Sequence, residues 1–154
     1  MKSIDQWLSE YGESHKNPTN KMVHFVCVPV IFFTIVGLLY CIKLPFGFAA
    51  GYPVTGAHIA LLFVAIYYSL LSIPLAIGMA IYGVVCLLLC HAIDIAPYRL
   101  LLVSVALFVL AWIAQFWGHN VEGKKPSFLK DIQYLMMGPA WIMSFLFKKI
   151  GLSV

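Results

Sequence analysis

Five histidines stand in a chain of 154 residues that carries only sixteen charged side chains, ten Lys and Arg against six Asp and Glu. Two short patterns around three of them could do chemistry. Asn20 and His24 are four apart and share a helix face if their helix begins early. Trp112, Gln115, His119 and Glu122 recur at spacings of three, four and three, which makes one continuous stripe, polar at its far end. The His119–Glu122 spacing lets a single helix supply an imidazole and a carboxylate together, as di-iron bundles do. With His15 added, the set offers three imidazoles and one carboxylate. Such donors suit zinc, iron or manganese, and residue type alone does not choose among them. The plainer alternative is a group of interfacial histidines bonded to backbone or lipid phosphate, and for His58 and His91 that is the reading kept.

The elements that must position these side chains follow from the distribution of charge. Residues 22–42, 44–93 and 100–121 form uncharged runs of 21, 50 and 22 residues. Runs of about 18 or more apolar residues read as transmembrane helices, and a chain with 62% hydrophobic and 10% charged residues cannot build a water-facing surface. The 37 uncharged residues from 57 to 93 would make a helix of ~55 Å, too long for a ~30 Å hydrocarbon core. Folding that stretch at Ser72-Ile73-Pro74 yields two spans. The expectation is an all-α, polytopic membrane bundle forming one domain over 1–154, with four spans at about 22–42, 57–72, 74–92 and 100–118. Residues 44–56, rich in Gly and Pro, read as a loop. Ser3 and Gln6 suggest a capping box, followed by Ile4, Trp7, Leu8 and Tyr11 at helical spacing and a stop at Gly12, hence an amphipathic interfacial helix. Residues 132–147, interrupted by Gly138-Pro139, read as an interfacial or re-entrant helix.

Three basic residues precede the first span and five follow the fourth, whereas only Lys43 and Arg99 lie in the opposite loops. The positive-inside rule then places both termini in the cytoplasm, in a bacterial inner membrane or, in a eukaryote, the endoplasmic reticulum. This also accounts for the net charge of +4 without a nucleic-acid partner. His15, His24 and His119 fall on the cytoplasmic side, His58 and His91 on the other. No cleavable signal peptide is expected. Cys27, Cys41, Cys86 and Cys90 fall in apolar runs without CxxC spacing and read as small core residues.

Two segments resemble the motifs of the membrane 2-hydroxy fatty acid dioxygenase family. Residues 11–31, YGESHKNPTNKMVHFVCVPVI, are similar to its opening motif, with Cys27 where Gly is more usual. Residues 112–128, WIAQFWGHNVEGKKPSF, are similar to the second, built on Gln-Phe-x-Gly-His with a following Glu and Pro. The combination His-x4-Asn-x3-His with Gln-x2-Gly-His is specific, and the resemblance runs over nearly the whole chain. It implies Fe(II)-dependent α-oxidation, in which a long-chain 2-hydroxy fatty acid and O2 become a fatty acid one carbon shorter plus CO2. It implies His15, His24 and His119 as metal ligands, with Glu122 a fourth ligand or a partner of the ligands. Asn20 and Gln115 would orient ligands or bind the substrate's oxygens. A 2-hydroxy acid can chelate a metal through hydroxyl and carboxylate, leaving a position for O2. Two rival classes stand beside this one: a non-enzymatic small transporter or scaffold, and a haem protein held by paired histidines. Oligomeric state and chain length of the substrate are left open.

Overall fold

The first long helix starts where Asn17 caps it. In the computed structural model, which describes residues 3–47, 52–96, 99–125 and 133–152, the Asn17 side chain accepts from the Thr19 and Asn20 amides and Pro18 occupies the first helical turn. Proline fits there because its missing N–H would have no partner. The helix therefore begins early and carries both Asn20 and His24.

The described residues form six helices and one strand pair, in order: α1 (Ile4–Gly12), α2 (Pro18–Tyr40), β1 (Lys43–Gly47), β2 (Pro53–Thr55), α3 (Gly56–Leu71), α4 (Ile73–Asp94), α5 (Leu100–Glu122) and α6 (Tyr134–Lys149). The Ser3–Gln6 capping box opens α1 as expected. Ser72, extended in backbone and accepting from the Leu75 amide, is the fold point between α3 and α4. Among the described residues three helices, α2, α4 and α5, are long and apolar enough to cross a membrane. The remaining expected span, α3, has 16 residues and a length of ~24 Å, short of a ~30 Å core. Leu62, Phe63, Ile81, Leu102 and Leu110 are all more than 60% exposed on the helix surfaces, which suits lipid and would not suit water.

Two elements differ from expectation. Residues 44–56, read as loop, contain the antiparallel β1–β2 pair, with Lys43 opposite Thr55 and Gly47 opposite Pro53. The bundle is thus not purely α. The pair forms because α2 ends beside the start of α3, where the Gly56 amide donates to the Ile42 carbonyl at 2.9 Å and Lys43 meets Asp94 at 2.7 Å. That closure is a tertiary event with no local periodicity. The second difference is α5, which continues past residue 118 to Glu122 and stops at Gly123 in the left-handed region (φ 71°). The extension keeps His119 and Glu122 on one helix. Helix α6 begins at Tyr134 (Ile132 lies outside the described residues, as do 126–128 of the second motif), and Gly138-Pro139 does not break it. It lies against α1, α2 and α4, with Met137, Ala140 and Trp141 buried.

Helices α2 and α5 run antiparallel and form the closest pair in the bundle. A methyl group at Gly118 would stand 2.6 Å from Asn20 Oδ1, and one at Gly37 would stand 2.3 Å from Ser104 Oγ. Small residues let apolar helices approach in this way. The Asn20 side chain cannot retreat freely, because its Nδ2 is tied to two acceptors. Gly118→Ala is accordingly expected to destabilise the protein by about 1–3 kcal/mol, the usual cost of overpacking. A thermal unfolding midpoint in detergent equal to that of the parent protein would contradict this close approach. Cys27, Cys86 and Cys90 are buried and all four cysteines are free, in keeping with core packing.

Candidate metal centre

Three elements bring the histidines together. His15 lies in the loop between α1 and α2, His24 two turns into α2, and His119 near the end of α5. Their ring centroids are 4.2 Å (His15–His24), 4.8 Å (His24–His119) and 5.2 Å (His15–His119) apart. One nitrogen from each lies within 4.8 Å of the others, slightly wider than the ~4 Å spanned by two metal–nitrogen bonds. All three are almost fully buried, at 2%, 1% and 4% exposure.

The backbone fixes which nitrogens are offered. His15 Nδ1 is 2.7 Å from the Tyr11 carbonyl and His24 Nδ1 is 3.0 Å from the Asn20 carbonyl. A carbonyl only accepts, so each Nδ1 carries the proton and each Nε2 keeps its lone pair. Tying the outer nitrogen to a carbonyl is how metal-binding histidines are ordinarily oriented. His15 Nε2 and His119 Nδ1 are buried without a hydrogen-bond partner among the described residues. Such orphaned groups are rare in folded proteins and point to an absent ligand. Burial pushes the His15 imidazole down to about 4, so it is neutral at pH 7, the form that binds a metal. These donors fit a divalent transition metal. The three rings stand so close together that a macrocycle between any two would displace the third.

Glu122, expected as fourth ligand or as a partner of the ligands, is turned toward the loop. Its Oε1 accepts from the Lys16 amide at 2.6 Å and the Asn17 amide at 3.2 Å, and its Oε2 accepts from Asn20 Nδ2 at 2.7 Å. Asn20 Nδ2 also donates to the Ser14 carbonyl at 3.1 Å. Asn20 is fully buried; its backbone carbonyl steers His24 and its Nδ2 holds the loop, while its Oδ1 is buried without a hydrogen-bond partner among the described residues. Gln115 is buried on the α5 face one turn before His119 and lines the cavity beside the histidines. Among the described residues nothing hydrogen-bonds its amide.

Two participants escaped the sequence reading. Tyr11 supplies the carbonyl that orients His15, and its ring stacks on that imidazole at 4.3 Å. Its four-residue spacing from His15 was the available signal. Trp141 of α6 packs against both rings, 5.3 Å from His15 and 5.5 Å from Tyr11, a contact for which the sequence holds no sign. The two remaining histidines lie at the opposite end of the bundle. His91 Nδ1 meets the Tyr40 hydroxyl at 3.1 Å, and His58 Nδ1 accepts from the Thr55 amide at 3.1 Å. Tyr40 is 16 residues from His24 along α2, ~24 Å away.

The histidines stand at the head of a cavity of about 460 Å³. Its lining turns apolar along α2 through Val28, Ile31 and Ile35 to Leu38, and along α5 through Trp112 to Phe108.

A buried three-histidine cluster able to hold a metal ion, at the head of an apolar cavity and beside helices long and apolar enough to cross a membrane, defines a candidate metal site open to a lipid-like ligand. The chain belongs to the 2-hydroxy-palmitic acid dioxygenase Mpo1-like family, whose model matches residues 1–150. It is 32% identical over 146 residues to the 2-hydroxy-palmitic acid dioxygenase MPO1 of Saccharomyces cerevisiae, covering 92% of this chain and 78% of that relative. No solved structure matches it.

Proposed function

We propose that this protein is an Fe(II)-dependent dioxygenase that shortens a long-chain 2-hydroxy fatty acid by one carbon. The observation that carries the reading is the set of three converging buried imidazoles, two with their outer nitrogens tied to carbonyls, at the head of an apolar cavity. Membership of the dioxygenase family supplies the reaction class. The balance closes without an outside reductant. The C1–C2 bond of the acid breaks, C1 leaves as CO2, C2 becomes the new carboxyl carbon, and O2 accepts four electrons with one water released.

His15, His24 and His119 would hold the metal, and its role when bound is to activate O2 and polarise the substrate's oxygens. The rest is done by the chain. The Tyr11 hydroxyl and the Gln115 amide line the head of the cavity and can hydrogen-bond the acid's carboxylate and hydroxyl. Burial keeps Tyr11 protonated, since it pushes the phenol well above its ordinary range, so it serves as a donor. Helix α1, Trp141 and the loop gathered by Glu122 exclude water from the centre. The membrane orientation that suits this site has both termini cytoplasmic, with the acid's head at the interface and its tail among the helices.

Reduced protein loaded with Fe(II) and given a long-chain 2-hydroxy acid and O2 is expected to yield the acid one carbon shorter. Mass spectrometry of the products decides it. Equal turnover of the non-hydroxylated acid would contradict recognition through the 2-hydroxyl.

A further inference from the structure

The apolar half of the cavity runs beside the α2–α5 seam. Gly118 against Asn20 marks the head end of that seam and Gly37 against Ser104 its far end, with Cys27, Ile31 and Ala111 packed between them. Along this seam the α2 lining runs from His24 through Val28, Phe32 and Ile35 to Leu38, one residue past Gly37. The fourteen steps from His24 to Leu38 make ~21 Å of helix. On α5 the eleven steps from Phe108 to His119 make ~16 Å. Beyond Trp112 every lining residue on these two helices is hydrocarbon or aromatic, and Val64 of α3 with Leu135, Met136 and Pro139 of α6 adds to the wall. One leaflet of a bilayer's hydrocarbon core is ~15 Å deep, which is the reach of one long acyl chain.

We infer that this trough is the binding site for the substrate's acyl tail, and that Ile35, Leu38 and Phe108 set the chain length the enzyme prefers. The inference rests on the fatty-acid reading above and adds the residues that measure the tail. With the acid's head held at the histidines, the ω-end of a long chain reaches the level of Ile35 and Phe108. Ile35 is 43% exposed and Phe108 half-buried, so a larger side chain at Ile35 fills the trough without entering the packed α2–α5 seam.

The test is a competition among 2-hydroxy acids from medium to very long chain, scored by product mass spectrometry. Burying one methylene changes transfer equilibria about fourfold. Ile35→Trp is therefore expected to shift the kcat/KM ratio of a shorter over a longer acid by roughly tenfold or more, and Phe108→Ala to shift it toward longer chains. Parent-like chain-length profiles in both variants, with normal total turnover, would overturn the assignment. A second measurement does not depend on turnover: a fatty acid with a diazirine at its ω-end, photolysed in the bound protein. Adducts on the 35–38 or 108 segments support the trough, and adducts confined to lipid-facing residues such as Leu62 and Leu102 overturn it. Failure of the metal-loaded parent to oxidise any of the acids, with adducts still in the trough, would sink the dioxygenase reading and leave the acyl site standing.

Discussion

Alanine at His15, His24 or His119 is expected to abolish both metal binding and turnover while the protein still inserts and folds. Each substitution removes one of three imidazoles whose free nitrogens converge within 4.8 Å. Losing a mere partner of a ligand costs ~10–100-fold in affinity or activity, so losing a ligand itself should exceed about 100-fold. Elemental analysis of anaerobically loaded protein and a turnover assay check the two effects separately. Alanine at His58 or His91 is the matched comparison. Both have ordinary structural partners in Thr55 and Tyr40, ~24 Å along α2 from the cluster. Their variants should keep metal and substantial activity. If either proved as damaging as His24→Ala, in protein of normal stability, the metal centre would not be confined to the three-histidine end.

What the sequence disclosed of this site was the part written in helical spacing. Asn20 and His24, or Gln115 and His119, can be placed on one face because α-helix geometry repeats every 3.6 residues. Asn17-Pro18 signals the helix start that makes the first pairing real. The membrane-type helices were legible for a similar reason, since hydrophobicity there is a local property of each run. Contacts between elements were not legible in this way. Trp141 reaches His15 from more than 120 residues away, and the β1–β2 pair forms only once the ends of α2 and α3 are neighbours. The short α3 has its own cause: its start is fixed by Thr55 in the strand pair and its end by Ser72, leaving too few residues for a full crossing.

Glu122 shows where spacing alone stops. On α5 it is one turn from His119, as a ligand pair would be, yet its two oxygens accept from the Lys16 and Asn17 amides and from Asn20 Nδ2. Those three donors flank His15 on one side and carry the start of α2, with His24, on the other. The carboxylate therefore acts on the histidines through the backbone that holds them. Glu122→Gln keeps one acceptor oxygen for the Lys16 and Asn17 amides, but its new NH2 confronts Asn20 Nδ2, donor against donor. Glu122→Ala removes every acceptor. The expected order is a graded loss: metal retained at saturating concentration in both variants, affinity and turnover lowered about 10–100-fold in the alanine variant, and a smaller loss for glutamine. Titration with the metal alone, followed by elemental analysis and turnover, separates the effects. Complete loss of metal in Glu122→Gln, matching His24→Ala, would make the carboxylate a ligand after all. Unchanged affinity in Glu122→Ala would mean that α1, Trp141 and the α2 cap suffice to hold His15 and His24 in place.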